Sequence, residues 1–184
     1  MSLSTHHKKI LHEIAYRSIE KGLADRHQPT IDSSGYDHVL QTKAATFVTL
    51  KIGDALRGCI GILEPRRPLI EDVAHNAYAA AFNDSRFDPV SRDELGRLSI
   101  HISVLNTPSD ILFESEEDLI RQLRPGEDGI ILEEGSARAT FLPSVWEDID
   151  SKKEFMRHLK MKAYLPKDYW SDTISIKRYT VEEF

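Results

Sequence analysis

The 184-residue sequence predicts an α+β fold, a largely antiparallel sheet flanked by helices. Three observations carry that prediction. Two apolar stretches, 44–63 and 129–142, each turn back on themselves at a glycine and read as hairpins. Segments with helical spacing and their own capping residues lie between and around them. No repeat, low-complexity stretch or linker divides the chain, so helices and hairpins interleave in the α+β manner. Hydrophobic residues make up 40% and charged residues 29%, the balance of an ordinary globular protein. The length suffices for a sizeable core, as one domain or as a domain with a small subdomain.

The first helix is predicted from about His6 to Gly22, where Ile10, Leu11, Ile14 and Ile19 recur at helical spacing, with Leu23 just beyond. Residues 24–42 are polar and rich in turn formers, and read as a loop. The hairpin over Ala44–Leu63 turns at Gly53-Asp54. A uniform two-residue loop would mix apolar and polar side chains on both faces. A three-residue loop, Gly53-Asp54-Ala55, pairs Ile52 with Leu56 and Val48 with Ile60 on one face, and Lys51 with Arg57 and Thr49 with Cys59 on the other. That register is the expected one, and it puts Lys51 and Arg57 on the face of Cys59.

Pro68 to Asn83 reads as a helix with Glu71 and Asp72 favourably placed at its start and a face of small residues suited to close packing on a sheet. Ser91 caps a short helix. Leu98–Asn106 alternates as a strand, Ile100, Ile102 and Val104 against His101 and Ser103. Ser115 caps a helix to about Leu123, a second hairpin turns at Glu134-Gly135, and Ser151 opens a helix through Met161 with a capping box. Thr173–Val181 alternates as one last strand.

Charge and composition exclude several functions. With 24 Lys and Arg against 30 Asp and Glu, the formal charge is −6, which argues against coating nucleic acid or an anionic membrane through bulk charge. No apolar run approaches the roughly 20 residues that span a bilayer, and residues 1–20 lack a signal-peptide core, so a cytoplasmic location is expected. One cysteine and scattered histidines offer no local metal-ligand set, and phosphate-loop, dinucleotide and nucleophile-elbow motifs are absent. Neither metal nor cofactor is expected. His12-Glu13 starts like a zinc-protease helix, but Tyr16 stands where the second histidine belongs.

Two stretches remain informative. In Arg57-Gly58-Cys59-Ile60-Gly61, glycines bracket a lone cysteine inside a good strand. They serve either close packing, with Cys59 filling a small gap, or the approach of a ligand to open backbone beside a thiol. On the second reading Arg57 favours the thiolate, the nucleophilic form, and His75 or His101 supplies a base through the fold. Asn83 to Pro89 carries Arg86 between Asp84 and Asp88. It is either a helix exit with local ion pairs or an anion clamp by Arg86.

At "LRGCIG", Leu56–Gly61, the sequence resembles the AMMECR family, named for the Alport syndrome, mental retardation, midface hypoplasia and elliptocytosis chromosomal region. The likeness continues in order through "FVTL" (47–50), "LEP" (63–65), "AAAF" with "DSRF" (79–87), "ISVL" (102–105), "FLP" (141–143) and "FMRHLKMKA" (155–163). Ser85 and Ser144 stand where the family has Pro and Gln, Ile62 where it has Thr, and Tyr164 where it has Gly. The resemblance implies a two-part α+β fold, a smaller subdomain beside the main sheet, and a cleft near the RGCIG strand. It brings no established activity. Bacterial and archaeal members look like the "A" component of the system called AmmeMemoRadiSam, which implies a Memo-type protein and a radical SAM protein as partners.

The function expected is therefore a cleft for a small anionic ligand or a modified peptide. Cys59 is its nucleophile, His75 or His101 its base, Arg57 and Arg86 its anion contacts, and Gly58 and Gly61 its open backbone. The alternative is a non-catalytic scaffold that docks a radical SAM partner, with Cys59 packed and inert.

Overall fold

Ser4 starts the first helix by accepting the His7 N–H at 3.2 Å, and Arg26 ends it in the left-handed region, φ 56°, with its N–H on the Gly22 carbonyl. In the computed structural model, which describes residues 3–184, the elements run as follows. They are α1 (Thr5–Asp25), α2 (His38–Gln41), β1 (Lys43–Ile52), β2 (Ala55–Gly61), β3 (Arg67–Pro68), α3 (Leu69–Phe82), α4 (Arg92–Leu95), β4 (Leu98–Leu105), β5 (Ser109–Asp110), α5 (Glu116–Gln122), β6 (Gly129–Glu134), β7 (Ala137–Phe141), α6 (Lys152–Lys162), β8 (Ser175–Tyr179) and β9 (Val181–Glu183). The first two positions of the stretch read for a signal core lie outside the described residues. Helices and antiparallel sheets together make an α+β fold.

The elements gather into two compact units, one reaching to Leu105 and including Glu182–Phe184, the other Asn106–Val181. The first is built on a sheet ordered β2-β1-β4-β9, with β3 bridging the start of β1. Alternation along β1 sends Ala44, Thr46, Val48 and Leu50 inward, where they are buried in one core with Leu11 and Ile19 of α1 and Ile70, Val73 and Ala77 of α3. Phe47, Thr49 and Lys51 take the other face. Buried Asp72 ties α3 to β1: it accepts the Thr46 N–H at 3.1 Å, the Thr46 hydroxyl at 2.7 Å and Arg67 Nη1 at 3.1 Å. Burial raises its pKa above the usual carboxylate range against those bonds.

The second unit carries a sheet ordered β5-β8-β6-β7 over a core of Leu119, Ile130, Leu132, Phe155 and Ile176. Trp146 stacks on Phe155 with ring centroids 3.7 Å apart, and Trp170 packs at the margin of this core. Asp128, fully buried, closes a tight turn by accepting the Arg124 N–H at 2.9 Å and its Nη2 at 2.6 Å.

Three sequence expectations are corrected. The 24–42 stretch is not all loop: Asp37 caps α2 by accepting the Val39 N–H at 3.3 Å. The strand expected over Thr173–Val181 is two strands, because the chain leaves one sheet after Tyr179 and joins the other at Val181. The hairpin follows neither uniform register. Gly53, at φ +60°, makes a tight turn with Asp54, so Ile52 faces Ala55 and Lys51 faces Leu56. A bulge then inserts Arg57, after which Leu50–Gly58, Thr49–Cys59 and Val48–Ile60 pair. The expected Thr49–Cys59 and Val48–Ile60 pairs form; Lys51–Arg57 and Ile52–Leu56 do not.

Candidate functional site

β2 is an edge strand, so alternate backbone groups on its outer side need partners from outside the sheet. Asp84 and Arg86 supply them at Cys59. Asp84, buried, accepts the Cys59 N–H at 2.8 Å, and Arg86 donates through Nη2 to the Cys59 carbonyl at 3.2 Å. The two side chains also pair, Nε to Oδ1 at 2.9 Å and Nη2 to Oδ2 at 2.7 Å. A carboxylate and a guanidinium thus replace one rung of a neighbouring strand. Arg86 holds the Asp84 carboxyl far below the usual range, with the Cys59 N–H adding to the effect, and Asp84 in turn raises the Arg86 pKa.

On the face away from the core, Cys59 pairs across to Thr49, and Thr49 to His101 on β4. The Thr49 hydroxyl donates to the Cys59 sulfur at 3.2 Å, and the cysteine is half-buried. Two strand spacings of about 4.8 Å each separate His101 from Cys59, so the exposed imidazole shares the row but does not reach the thiol.

The other expected site residues have partners of their own. Arg57, freed by the bulge, forms a two-pronged pair with Glu94, Nε–Oε1 2.7 Å and Nη2–Oε2 3.1 Å. That pair, with the Ser91 N–H, brings Glu94 down to about 2. Arg57 is therefore neutralised and not an open anion contact. Gly58 is a packing glycine: a Cβ there would lie 2.1 Å from the Ala80 carbonyl oxygen, so α3 could not approach β2. At Gly61 a Cβ would lie 2.3 Å from the Phe47 ring, which occupies the space left open on that strand pair. His75 sits on α3 five residues before Ala80, about 7.5 Å of helix rise away from the turn that meets β2. Its Nδ1 is bonded to Gln28 Nε2 at 2.6 Å, and partial burial lowers its pKa. The structure does not bring it to Cys59.

Sequence reasoning missed Asp84, Thr49 and Glu94. The spacing of Asp84 and Arg86 signalled a local ion pair, but nothing local announced that the pair would clasp a strand 25 residues earlier. Among the described residues, no group of three or more His, Cys, Asp or Glu side chains is placed to hold a metal ion, and no helix is long and apolar enough to cross a membrane.

The AMMECR1 family model matches residues 12–184. A protein of Thermotoga maritima is 38% identical over 155 residues, covering 83% of this chain and 84% of its own. One of Saccharolobus solfataricus is 39% identical over 180 residues, covering 93% and 78%. The crystal structure of an uncharacterised protein from Pyrococcus horikoshii superposes with a TM-score of 0.82 at 31% identity, over 94% of this chain and 88% of that one.

Proposed function

The chain belongs to the AMMECR1 family, and from that premise we propose that it is a recognition domain for a modified peptide or other small ligand, engaged through Cys59. The observation that carries this reading is the fixation of the thiol. A cysteine that only fills a gap needs no positioning, whereas this one has both backbone groups clasped by Asp84 and Arg86 and a hydroxyl aimed at its sulfur. Because Arg57 and Arg86 are both paired, the row Cys59–Thr49–His101 favours a peptide over a free anion. With His101 one strand beyond Thr49, any proton transfer from the thiol passes to the ligand or to water, not to a bonded base.

The same pairing favours a second reading. A strand whose charges and glycines are all satisfied internally also suits a rigid, non-catalytic docking face, and on this reading its partners are Memo-type and radical SAM proteins. Thiol labelling separates the two. With 5,5′-dithiobis(2-nitrobenzoate), the folded protein is expected to label stoichiometrically, and Thr49→Val to label severalfold more slowly, since the hydroxyl that stabilises negative charge on sulfur is gone. Labelling only after denaturation would leave the docking reading.

A further inference from the structure

We propose that the cavity between the C-terminal ends of α1 and α3 is a binding site for a small organic anion with an apolar or aromatic body, held by Arg26 and Arg92. The cavity measures about 540 Å³, within the range of small-molecule sites. Leu23, Tyr78, Phe82 and Val90 wall it, the two rings lying 4.9 Å apart. Gly22 lets those rings close over α1, since a Cβ there would lie 2.4 Å from Phe82 and 2.9 Å from Tyr78.

Both arginines stand on fixed backbone. Arg26 takes the left-handed position that ordinarily belongs to glycine at a helix end, and its carbonyl accepts the Tyr78 hydroxyl at 3.3 Å. Arg92 follows Ser91, whose N–H and hydroxyl both donate to Glu94, at 2.8 and 3.0 Å. Glu94 is held in turn by Arg57. Among the described residues, neither the Arg26 nor the Arg92 guanidinium has an ion-pair or hydrogen-bond partner; Arg57, Arg67, Arg86 and Arg124 are paired, Arg17 and Arg97 are not, and Arg26 and Arg92 are the two that line this cavity together. In a chain of net charge −6, two unpaired guanidinium groups on one cavity are the feature that points to an anion. The ends of α1 and α3 each contribute only about half a negative charge, less than the two arginines supply. The flat apolar wall takes the ligand body, and the forked donors take a carboxylate, phosphate or sulfonate. This site is separate from the Cys59 row and does not depend on its function.

The test uses two dyes that share a body. 1-Anilinonaphthalene-8-sulfonate is anionic and N-phenyl-1-naphthylamine is its uncharged counterpart. The wild-type protein is expected to bind the sulfonate one to one, with amide shifts concentrated at 22–26, 78–83 and 89–92. Arg26→Gln/Arg92→Gln, two exposed changes whose folding is checked by circular dichroism, weakens the sulfonate at least tenfold and the neutral dye less than twofold. No sulfonate binding by the wild type, unchanged affinity in the variant, equal loss of both dyes, or shifts centred elsewhere would each overturn the proposal.

Discussion

Asp84 in the first unit and Asp128 in the second are both buried carboxylates clasped by an arginine, but they hold very different things. Asp128 hydrogen-bonds Arg124, four residues back, and closes its own turn, with Arg178 of β8 only at the longer ion-pair distance of 3.8 Å. Asp84 bonds Arg86 two residues on, and then reaches the N–H of Cys59 across 25 residues of chain. A local clasp stabilises the segment that contains it. A remote clasp fixes a different segment, and here that segment is β2, the strand of Cys59. The difference is one of reach: Asp84 supplies backbone partners to an edge strand that has no neighbour on that side.

The largest expected effect separates two glycines. Gly58→Ala sets a methyl against the backbone carbonyl of Ala80, which cannot swing aside, and should cost about 3 kcal/mol or more. Gly129→Ala in the second unit sets it 2.4 Å from the ring of buried Tyr179, a side chain that yields only with its hydrogen bond to the Phe141 carbonyl, and should cost about 2 kcal/mol. Urea denaturation of both variants checks the order, and equal losses would break the contrast.

Asp84→Ala leaves a part-buried N–H without its partner and should cost about 2 kcal/mol, with amide exchange at Cys59 accelerated at least tenfold. Asp128→Ala should destabilise by a similar amount yet leave exchange at Cys59 unchanged. Accelerated exchange there in the second variant would show that the two clasps are not independent.

Acid sharpens the comparison within the first unit. Asp84 and Glu94 have folded pKa values below their ordinary ones, so the stability they add is present above about pH 4.5 and lost as the pH falls, for Glu94 down through about 2. Asp72 has the opposite sign: burial raises its pKa, so its protonation in acid favours the fold. Glu94→Gln should therefore flatten the fall of the urea midpoint between pH 5 and 3, and Asp72→Asn should steepen it.

Smallest of all should be Lys160→Met. Lys160 is fully buried, paired with Glu116 at 2.5 Å and set over the Trp170 ring. An apolar side chain of similar volume spares the ammonium its desolvation, and Glu116 is exposed enough to be hydrated alone, so stability should change by less than about 1 kcal/mol. A loss above about 3 kcal/mol would place Lys160 with Asp84 as an indispensable buried charge.

What the sequence made legible follows the range of each interaction. The existence of both hairpins, the small-residue face of α3 and the Thr49–Cys59 and Val48–Ile60 pairs rest on alternation and spacing, and the structure has them; the pairing next to the Gly53 turn differs. The bulge at Arg57 was not legible, because its partner Glu94 lies 37 residues away and no local pattern favours the extra residue. The same holds for the clasp at Cys59. The break at Thr180 was hidden because period-2 alternation runs unbroken through it, and only the third dimension shows that the two halves join different sheets.

The distribution of aromatic side chains has a consequence for anyone who melts this protein. Both tryptophans, Trp146 and Trp170, belong to the second unit, and the first has none. Intrinsic indole emission therefore follows the unit that lacks Cys59. A single smooth transition at those wavelengths describes residues 106–181 alone, and the unit holding Cys59 could open earlier without leaving a trace in the signal.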